Sequence, residues 1–138
     1  MEFEEKVVIN ALPEDIYPFY SNVSEWSSWD PEVVSSSING PFAPGGKGQL
    51  KPKKGPEAAI EIAEVIENKS FTVISRLPFC IVSFKHELIK KGMKTEVVHS
   101  VSFSGFLSPF WGRLLGLKIK KGLPETMKGL RLAVEKLV

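Results

Sequence analysis

The chain contains two histidines, the side chains whose protonation changes most readily near neutral pH. His86 lies in an alternating segment, residues 79–90, where it shares one face with Val82, Phe84 and Leu88. His99 lies in residues 95–104, where it shares one face with Val97, Val101 and Phe103. Because successive side chains of a strand point to opposite faces, the sequence predicts that both imidazoles lie on the apolar face of a sheet.

The turn between these two segments predicts how the histidines pair. If Gly92 and Met93 are the centre of a hairpin, His86 lies directly opposite His99 and their Cβ atoms are ~5 Å apart. A register two residues away makes the pair diagonal, at ~7 Å. Either register puts both rings on one wall of the interior.

Glu64 is a third candidate. It falls in residues 57–66 on the same face as Ile60, Ile62 and Ile66, although the other face of that segment is apolar as well. A carboxylate and two buried imidazoles have altered pKa values and suit the proton transfers of a cyclase or dehydratase. The same three groups are also zinc ligands. In a third interpretation, which we favour, the histidines only hydrogen-bond to each other or to a ligand carbonyl.

The metal alternative has the weakest support. The sequence has no His-x-x-x-His or Cys-x-x-Cys spacing, so it predicts neither a metal nor another cofactor.

Hydrophobic periodicity and turn residues predict the elements that position these side chains. We expect a strand at residues 2–10, a short helix from Leu12 to Tyr20, a helical turn at 23–26, strands at 33–39, 48–52, 57–66, 70–77, 79–90 and 95–104, and a helix at 108–138. Gly122 and Pro124 predict a kink or a break in that last helix. Short turns join consecutive strands, which favours one antiparallel sheet. The sequence has no repeats and no low-complexity tracts, so residues 1–138 are expected to form a single domain.

Composition excludes several classes of protein. The chain of 138 residues is 43% hydrophobic with a net charge of +2, which is typical of a folded domain and gives no field that implies nucleic acid. The single cysteine, Cys80, excludes an internal disulfide and fits a reducing compartment. No signal-like or membrane-spanning apolar run is present, so the sequence predicts a cytoplasmic protein.

The segment from Phe110 to Lys121 supports two interpretations. Aromatic and aliphatic residues alternate there with Arg113 and several lysines, as in a helix that lies in a membrane interface. The other interpretation, which we favour, is that the apolar residues close the interior and the lysines are solvated.

The order of elements and the residues 23–31, Val-Ser-Glu-Trp-Ser-Ser-Trp-Asp-Pro, resemble the opening of the polyketide cyclase/dehydrase and lipid-transport families of the START-like (SRPBCC) superfamily. Phe103-Ser104-Gly105 and Gly122-Leu123-Pro124-Glu125 are similar as well. The resemblance covers nearly the whole chain. It implies an α+β helix-grip fold, in which a curved antiparallel sheet of six to seven strands wraps a long C-terminal helix, with two short helices after the first strand and a mostly apolar cavity. It carries over no catalytic residue.

The expected function is therefore binding, and by extension transport, of a hydrophobic small molecule. The predicted lining is Trp26, Trp29, Phe84, His86, His99, Val101, Phe103 and Trp111. The two alternatives are a cyclase or dehydratase that uses His86, His99 and Glu64, and a lipid or quinone handler that visits membranes. A protein-interaction module is a third class.

Overall fold

The computed structural model describes residues 1–138 as one sheet, two short helices and one long helix. The strands are β1 (Glu2–Ile9), β2 (Val33–Asn39), β3 (Lys47–Pro52), β4 (Ala58–Ile66), β5 (Ser70–Leu77), β6 (Cys80–Lys91) and β7 (Lys94–Ser104). The helices are α1 (Pro13–Ser21), a 3-10 helix (Val23–Ser28) and α2 (Ser108–Leu137).

The seven strands form one antiparallel sheet in the order β1-β7-β6-β5-β4-β3-β2. Strands β2 to β6 each pair with the next strand in sequence, because short turns join them. The first strand instead lies beside the last, which places the start of the chain next to the residues that lead into α2. The predicted fold, a curved sheet with a long C-terminal helix and two short helices after the first strand, is confirmed.

Helix α2 runs through Gly122 and Pro124 without interruption over its 30 residues, so of the kink or break predicted there, the break is wrong. Pro124 is exposed, and the carbonyl group of Lys120 that loses its partner belongs to an exposed residue, where solvent can satisfy it. Leu123 and Met127 on either side are buried and hold the helix to the sheet. No helix in the structure combines the length and the apolarity that crossing a bilayer requires.

Small residues allow α2 to approach its neighbours closely. A Cβ atom on Gly116 would lie 3.2 Å from the Phe3 ring of β1. A Cβ atom on Gly129 would overlap the carbonyl oxygen of Trp29, in the segment that follows the 3-10 helix. The helix accordingly packs on β1 and β7 at one edge of the sheet, while its contact with β6 is slight.

The interior divides into two clusters of buried side chains. The first contains 17 residues, among them Tyr20, Phe71 and the second-half α2 residue Leu130. The second is built on Cys80, Val82, Val101, Phe103 and Leu123. Phe84 packs against both clusters, so it marks the centre of the inner face.

Candidate functional site

The two histidines lie side by side on the inner face of the central hairpin. His86 on β6 is the direct partner of His99 on β7, so of the two registers that the sequence allowed, the one with Gly92 and Met93 at the centre of the turn is correct. Their ring centroids are 4.4 Å apart with an angle of 74° between the planes. The turn at Gly92, which adopts a positive φ of 67°, produces this register because it leaves Lys91 opposite Lys94.

His86 is held by the neighbouring strand β5. Its ring stacks on Phe71 at a centroid distance of 3.9 Å and an interplanar angle of 6°. Its Nδ1 lies 3.2 Å from the carbonyl oxygen of Phe71. A carbonyl oxygen only accepts, so Nδ1 carries the proton and donates. The remaining nitrogen, Nε2, is therefore an acceptor, and it makes no hydrogen bond within the protein.

His99 is held by helix α1. The hydroxyl group of Tyr20 lies 2.7 Å from Nε2 of His99, and both side chains are buried. The hydroxyl group of Tyr20 has no other partner, and its buried O–H would lack an acceptor if Nε2 carried the proton. We therefore assign the O–H as the donor and Nε2 as the acceptor. The proton of the neutral His99 ring is then on Nδ1, which makes no hydrogen bond within the protein. The pair thus offers one free acceptor, on His86, and one free donor, on His99.

Burial keeps all three polar side chains uncharged at neutral pH. Desolvation lowers the pKa of His86 to about 4, and the carbonyl groups of Phe71 and Phe84 offset this only in part. Desolvation, together with the nearby His86, holds the pKa of His99 well below the usual value for histidine. Burial also raises the pKa of Tyr20 well above its usual value. Neither imidazole has a carboxylate beside it that would favour the cation.

Glu64 does not join the histidines, and its predicted inward orientation is wrong. A β-bulge between Ile62 and Glu64 inserts one residue into β4, which reverses the alternation of side chains after Ile62. Val65 consequently packs against the core, while Glu64 is exposed. No group of three His, Cys, Asp or Glu side chains in the structure is arranged to hold a metal ion.

The other predicted lining residues fall into two sets. Trp26 and Trp29 are buried in the first cluster, and their indole N–H groups donate to the carbonyl oxygens of Tyr20 and Phe19, which is a packing role. Val101 and Phe103 are buried on β7. Phe84 and Trp111 are half-buried.

Tyr20 was missed by the sequence analysis, although a signal for it exists. It lies four residues after Ile16, so the two share the buried face of α1. A tyrosine on the buried face of a helix needs a partner for its hydroxyl group. The two inward-facing histidines are the polar groups that could supply one.

Two surface depressions lie away from the histidine pair. One, of about 470 Å³, is lined by Pro109, Phe110, Arg113 and Leu114 at the start of α2. The other, of about 610 Å³, lies between the start of α1 and the turn from β4 to β5. Neither includes a predicted lining residue, so the cavity between sheet and helix stays a prediction.

We predict that Tyr20→Phe lowers the free energy of unfolding by about 1–3 kcal/mol, because it leaves the buried Nε2 of His99 without a donor. Urea denaturation at neutral pH measures this loss. Tyr17→Phe is the matched control, since Tyr17 lies on the same helix and its hydroxyl group makes no hydrogen bond. Equal losses in the two variants would contradict the assigned hydrogen bond.

We also predict that stability falls as the pH drops from about 6.5 towards about 4. An imidazole with a lowered pKa binds fewer protons in the folded state, so each histidine should cost on the order of 1 kcal/mol of unfolding free energy per pH unit in this window. Above it, both states are neutral and the effect vanishes. Denaturant titrations across the window measure the slope.

His86→Phe retains a ring against Phe71 and should reduce that slope by about half, whereas Lys85→Ala on the outer face should leave it unchanged. Burial raises the pKa of the Asp30 carboxyl group, so this group increases stability as the pH falls, opposite to the histidines. Asp30 is present in the unmodified protein and in both variants, so it does not affect the comparison of their slopes. A slope in His86→Phe as steep as in the unmodified protein would refute the neutral state assigned to this ring.

Comparisons with known proteins agree with this architecture. The START superfamily protein from Mycobacterium smegmatis is 16% identical, with a TM-score of 0.76 over 99% of each chain. Norcoclaurine synthase from Thalictrum flavum is 13% identical, with a TM-score of 0.75 over 97% of this chain and 86% of that one. Identities this low show the fold alone. No curated protein sequence matches the chain. The family model for polyketide cyclase/dehydrase and lipid transport matches residues 1–136, and the chain therefore belongs to that family.

Proposed function

We propose that the protein binds an uncharged, mostly apolar small molecule between the sheet and the first half of α2, and that His86 and His99 orient it. The observation that carries this proposal is the pair of adjacent imidazoles with one free acceptor and one free donor nitrogen. The family, described as polyketide cyclase/dehydrase and lipid transport, is consistent with such a ligand.

The distribution of buried surface supports a ligand site under the first half of α2. Several side chains that face the interior there are only half-buried, namely Phe84 and His86 on the sheet and Trp111, Leu115 and Ile119 on the helix. In a fully packed core, side chains at the centre of the inner face would be buried like Val101. The second half of α2 packs as expected, since Leu130 and Val134 are fully buried.

The free histidine nitrogens support the same location. Every side-chain nitrogen or oxygen that is shielded from solvent has a hydrogen-bond partner. Nε2 of His86 and Nδ1 of His99 have none within the protein, so each retains accessible surface. The polar atoms and the half-buried apolar side chains thus border the same part of the interior.

The chemistry of the two nitrogens indicates which ligand group they recognise. A hydroxyl group can donate to Nε2 of His86 and accept from Nδ1–H of His99 at the same time. A carbonyl or ether oxygen can satisfy only His99, and a hydrocarbon satisfies neither. The surrounding residues, including Phe71, Phe84 and Val101, provide apolar walls with no charge to pair with an ionic ligand. We therefore propose a neutral, hydroxyl-bearing, hydrophobic ligand.

Catalysis is the second candidate, since the family description includes cyclases and one structural neighbour is named a synthase. General acid–base catalysis works best when the pKa of the group is near the working pH. With a pKa of about 4, His86 is a weak base at neutral pH, and Glu64 is turned away from it. These properties favour a binding role for the histidines over proton transfer.

We predict that 2-naphthol binds more tightly than 2-methoxynaphthalene, by about three- to tenfold, because only the first can donate to His86. Naphthalene, which can neither donate nor accept in this way, should bind more weakly than both. Isothermal titration calorimetry with these three probes measures the order.

Two variants assign the preference to its residue. His86→Phe should remove the advantage of 2-naphthol over 2-methoxynaphthalene, and the matched variant Lys85→Ala should retain it, because Lys85 points to the outer face of the same strand. Naphthalene binding as tightly as 2-naphthol would contradict the orienting role of the histidines. Failure of all three probes to bind would contradict the proposed function itself.

A further inference from the structure

We propose that one end of the molecule docks on the surface of an anionic lipid bilayer, the alternative that the sequence alone did not favour for residues 110–121, because the structure leaves Phe110, Leu114 and Leu117 exposed. This end carries five exposed apolar side chains, which we call the apolar end patch: Phe79, Phe106, Phe110, Leu114 and Leu117. The inference is independent of the histidine site, since none of these residues contacts it.

The exposure of the patch is unusually high for such large side chains. The exposed fractions are 74% for Phe79, 87% for Phe106 and 55% for Phe110. Leu114 and Leu117 are 55% and 60% exposed. Single exposed apolar residues are common on protein surfaces, but a contiguous group of them marks an interaction site.

Hydrogen bonds hold the three segments of the patch together. The backbone N–H of Leu107 donates to the carbonyl oxygen of Phe79 at 2.9 Å, which joins the loop after β7 to the turn between β5 and β6. The indole N–H of Trp111 donates to the carbonyl oxygen of Pro78 at 2.9 Å, which joins α2 to the same turn. The three backbone segments that carry the exposed side chains are therefore held to one another by hydrogen bonds.

The backbone of Phe79 is strained in a way that favours a role for its side chain. Phe79 has a φ of 55°, in the left-handed region that glycine occupies without strain. The side chain contributes little packing in return, because it is mostly exposed. A bulky aromatic ring in a conformation that suits glycine points to a function outside the folded core.

Basic residues border the patch on α2. At 100° per residue, Phe110, Leu114 and Leu117 form one stripe along the outer face, with Arg113 and Lys120 on one side and Lys118 on the other. Lys121 continues the stripe at its end. All four cations are exposed, and none takes part in an ion pair.

The positive charge around the apolar stripe indicates which partner binds there. No acidic residue occurs in the sequence between Glu96 and Glu125, so every charged side chain that the first half of α2 itself carries is a cation. One carboxylate from elsewhere in the chain, that of Glu32, lies against Gly122 at the end of the stripe. An apolar face bordered by lysine and arginine matches the interface of an anionic membrane, where the apolar side chains enter the acyl boundary and the cations meet phosphate groups. A second copy of the chain would bring like charges together, which opposes self-association through this face.

The exposed apolar stripe is confined to the first half of α2, as a comparison with the second half shows. Its outer face carries Glu125, Lys128, Arg131 and Lys136, with Leu132 as the one large apolar side chain among them. That face is typical of a helix in water. It also provides matched controls on the same helix.

The test is flotation of the full chain with vesicles of phosphatidylcholine and phosphatidylserine, compared with vesicles of phosphatidylcholine alone. We expect flotation with the anionic vesicles at low salt and on the order of tenfold less binding at high salt or without phosphatidylserine. The triple variant Phe110→Ser, Leu114→Ser, Leu117→Ser should bind on the order of tenfold less, with an unchanged melting temperature because all three positions are exposed.

Matched controls separate the patch from a general effect of charge or polarity. Lys118→Glu with Lys121→Glu should weaken binding, whereas Lys128→Glu with Lys136→Glu, and Leu132→Ser, should not. Absence of flotation with anionic vesicles, or equal flotation of the triple variant, would overturn the proposal. Sedimentation that shows a dimer abolished by the triple variant, with no flotation, would overturn it in favour of a protein interface.

Discussion

The imidazole rings of His86 and His99 lie on the apolar inner face of the sheet. An apolar environment disfavours a charged ring, so both rings must be neutral and hydrogen-bonded. The rest of the site follows from that constraint. Strand β5 supplies the carbonyl group of Phe71 to His86, and helix α1 supplies the hydroxyl group of Tyr20 to His99. Each ring thus has one nitrogen satisfied by the protein and one nitrogen free.

The order of strands explains why the constraint can be met. Strand β6 lies between β5 and β7, so His86 has His99 on one side and Phe71 on the other. Helix α1 crosses the inner face and brings Tyr20 to within 6 Å of both histidine rings, at centroid distances of 5.5 Å and 5.8 Å. Helix α2 packs towards β1 and β7, which leaves the inner residues beneath its first half incompletely covered. The two histidines therefore lie on the part of the inner face that helix α2 leaves incompletely covered.

Helix α2 combines two different surfaces in one element. Its second half is an ordinary amphipathic helix whose buried residues complete the larger cluster. Its first half has half-buried apolar residues on the inside and exposed apolar residues on the outside. Folding would require only a polar outer face there, so the exposed apolar residues indicate a contact outside the fold. We therefore propose that the first half of α2 contacts a ligand with its inner face and a lipid surface with its outer face.

Much of this fold could be predicted from the sequence because the alternation of side chains and the turn residues determine the strands and their pairing. Alternation on β6 and β7 and the turn at Gly92 were enough to place His86 opposite His99. Glu64 was mispredicted because a bulge is a local irregularity that the alternating pattern of Ile60 and Ile62 does not reveal. The partnership of Tyr20 with His99 spans 79 residues, and the sequence has no local signal for which helix covers which strand. Gly122 and Pro124 predict a kink or a break, but the helix is continuous there because Leu123 and Met127 beside Pro124 are buried.

The central claim is that both histidines are neutral and carry their proton on Nδ1. Long-range nitrogen–proton NMR correlation of the imidazole rings tests it directly, because protonated and unprotonated ring nitrogens have distinct chemical shifts. At neutral pH we expect both rings to show a protonated Nδ1 and an unprotonated Nε2, and we expect His86 to gain its second proton only near pH 4. A cationic ring at neutral pH, or a proton on Nε2 of either histidine, would contradict it.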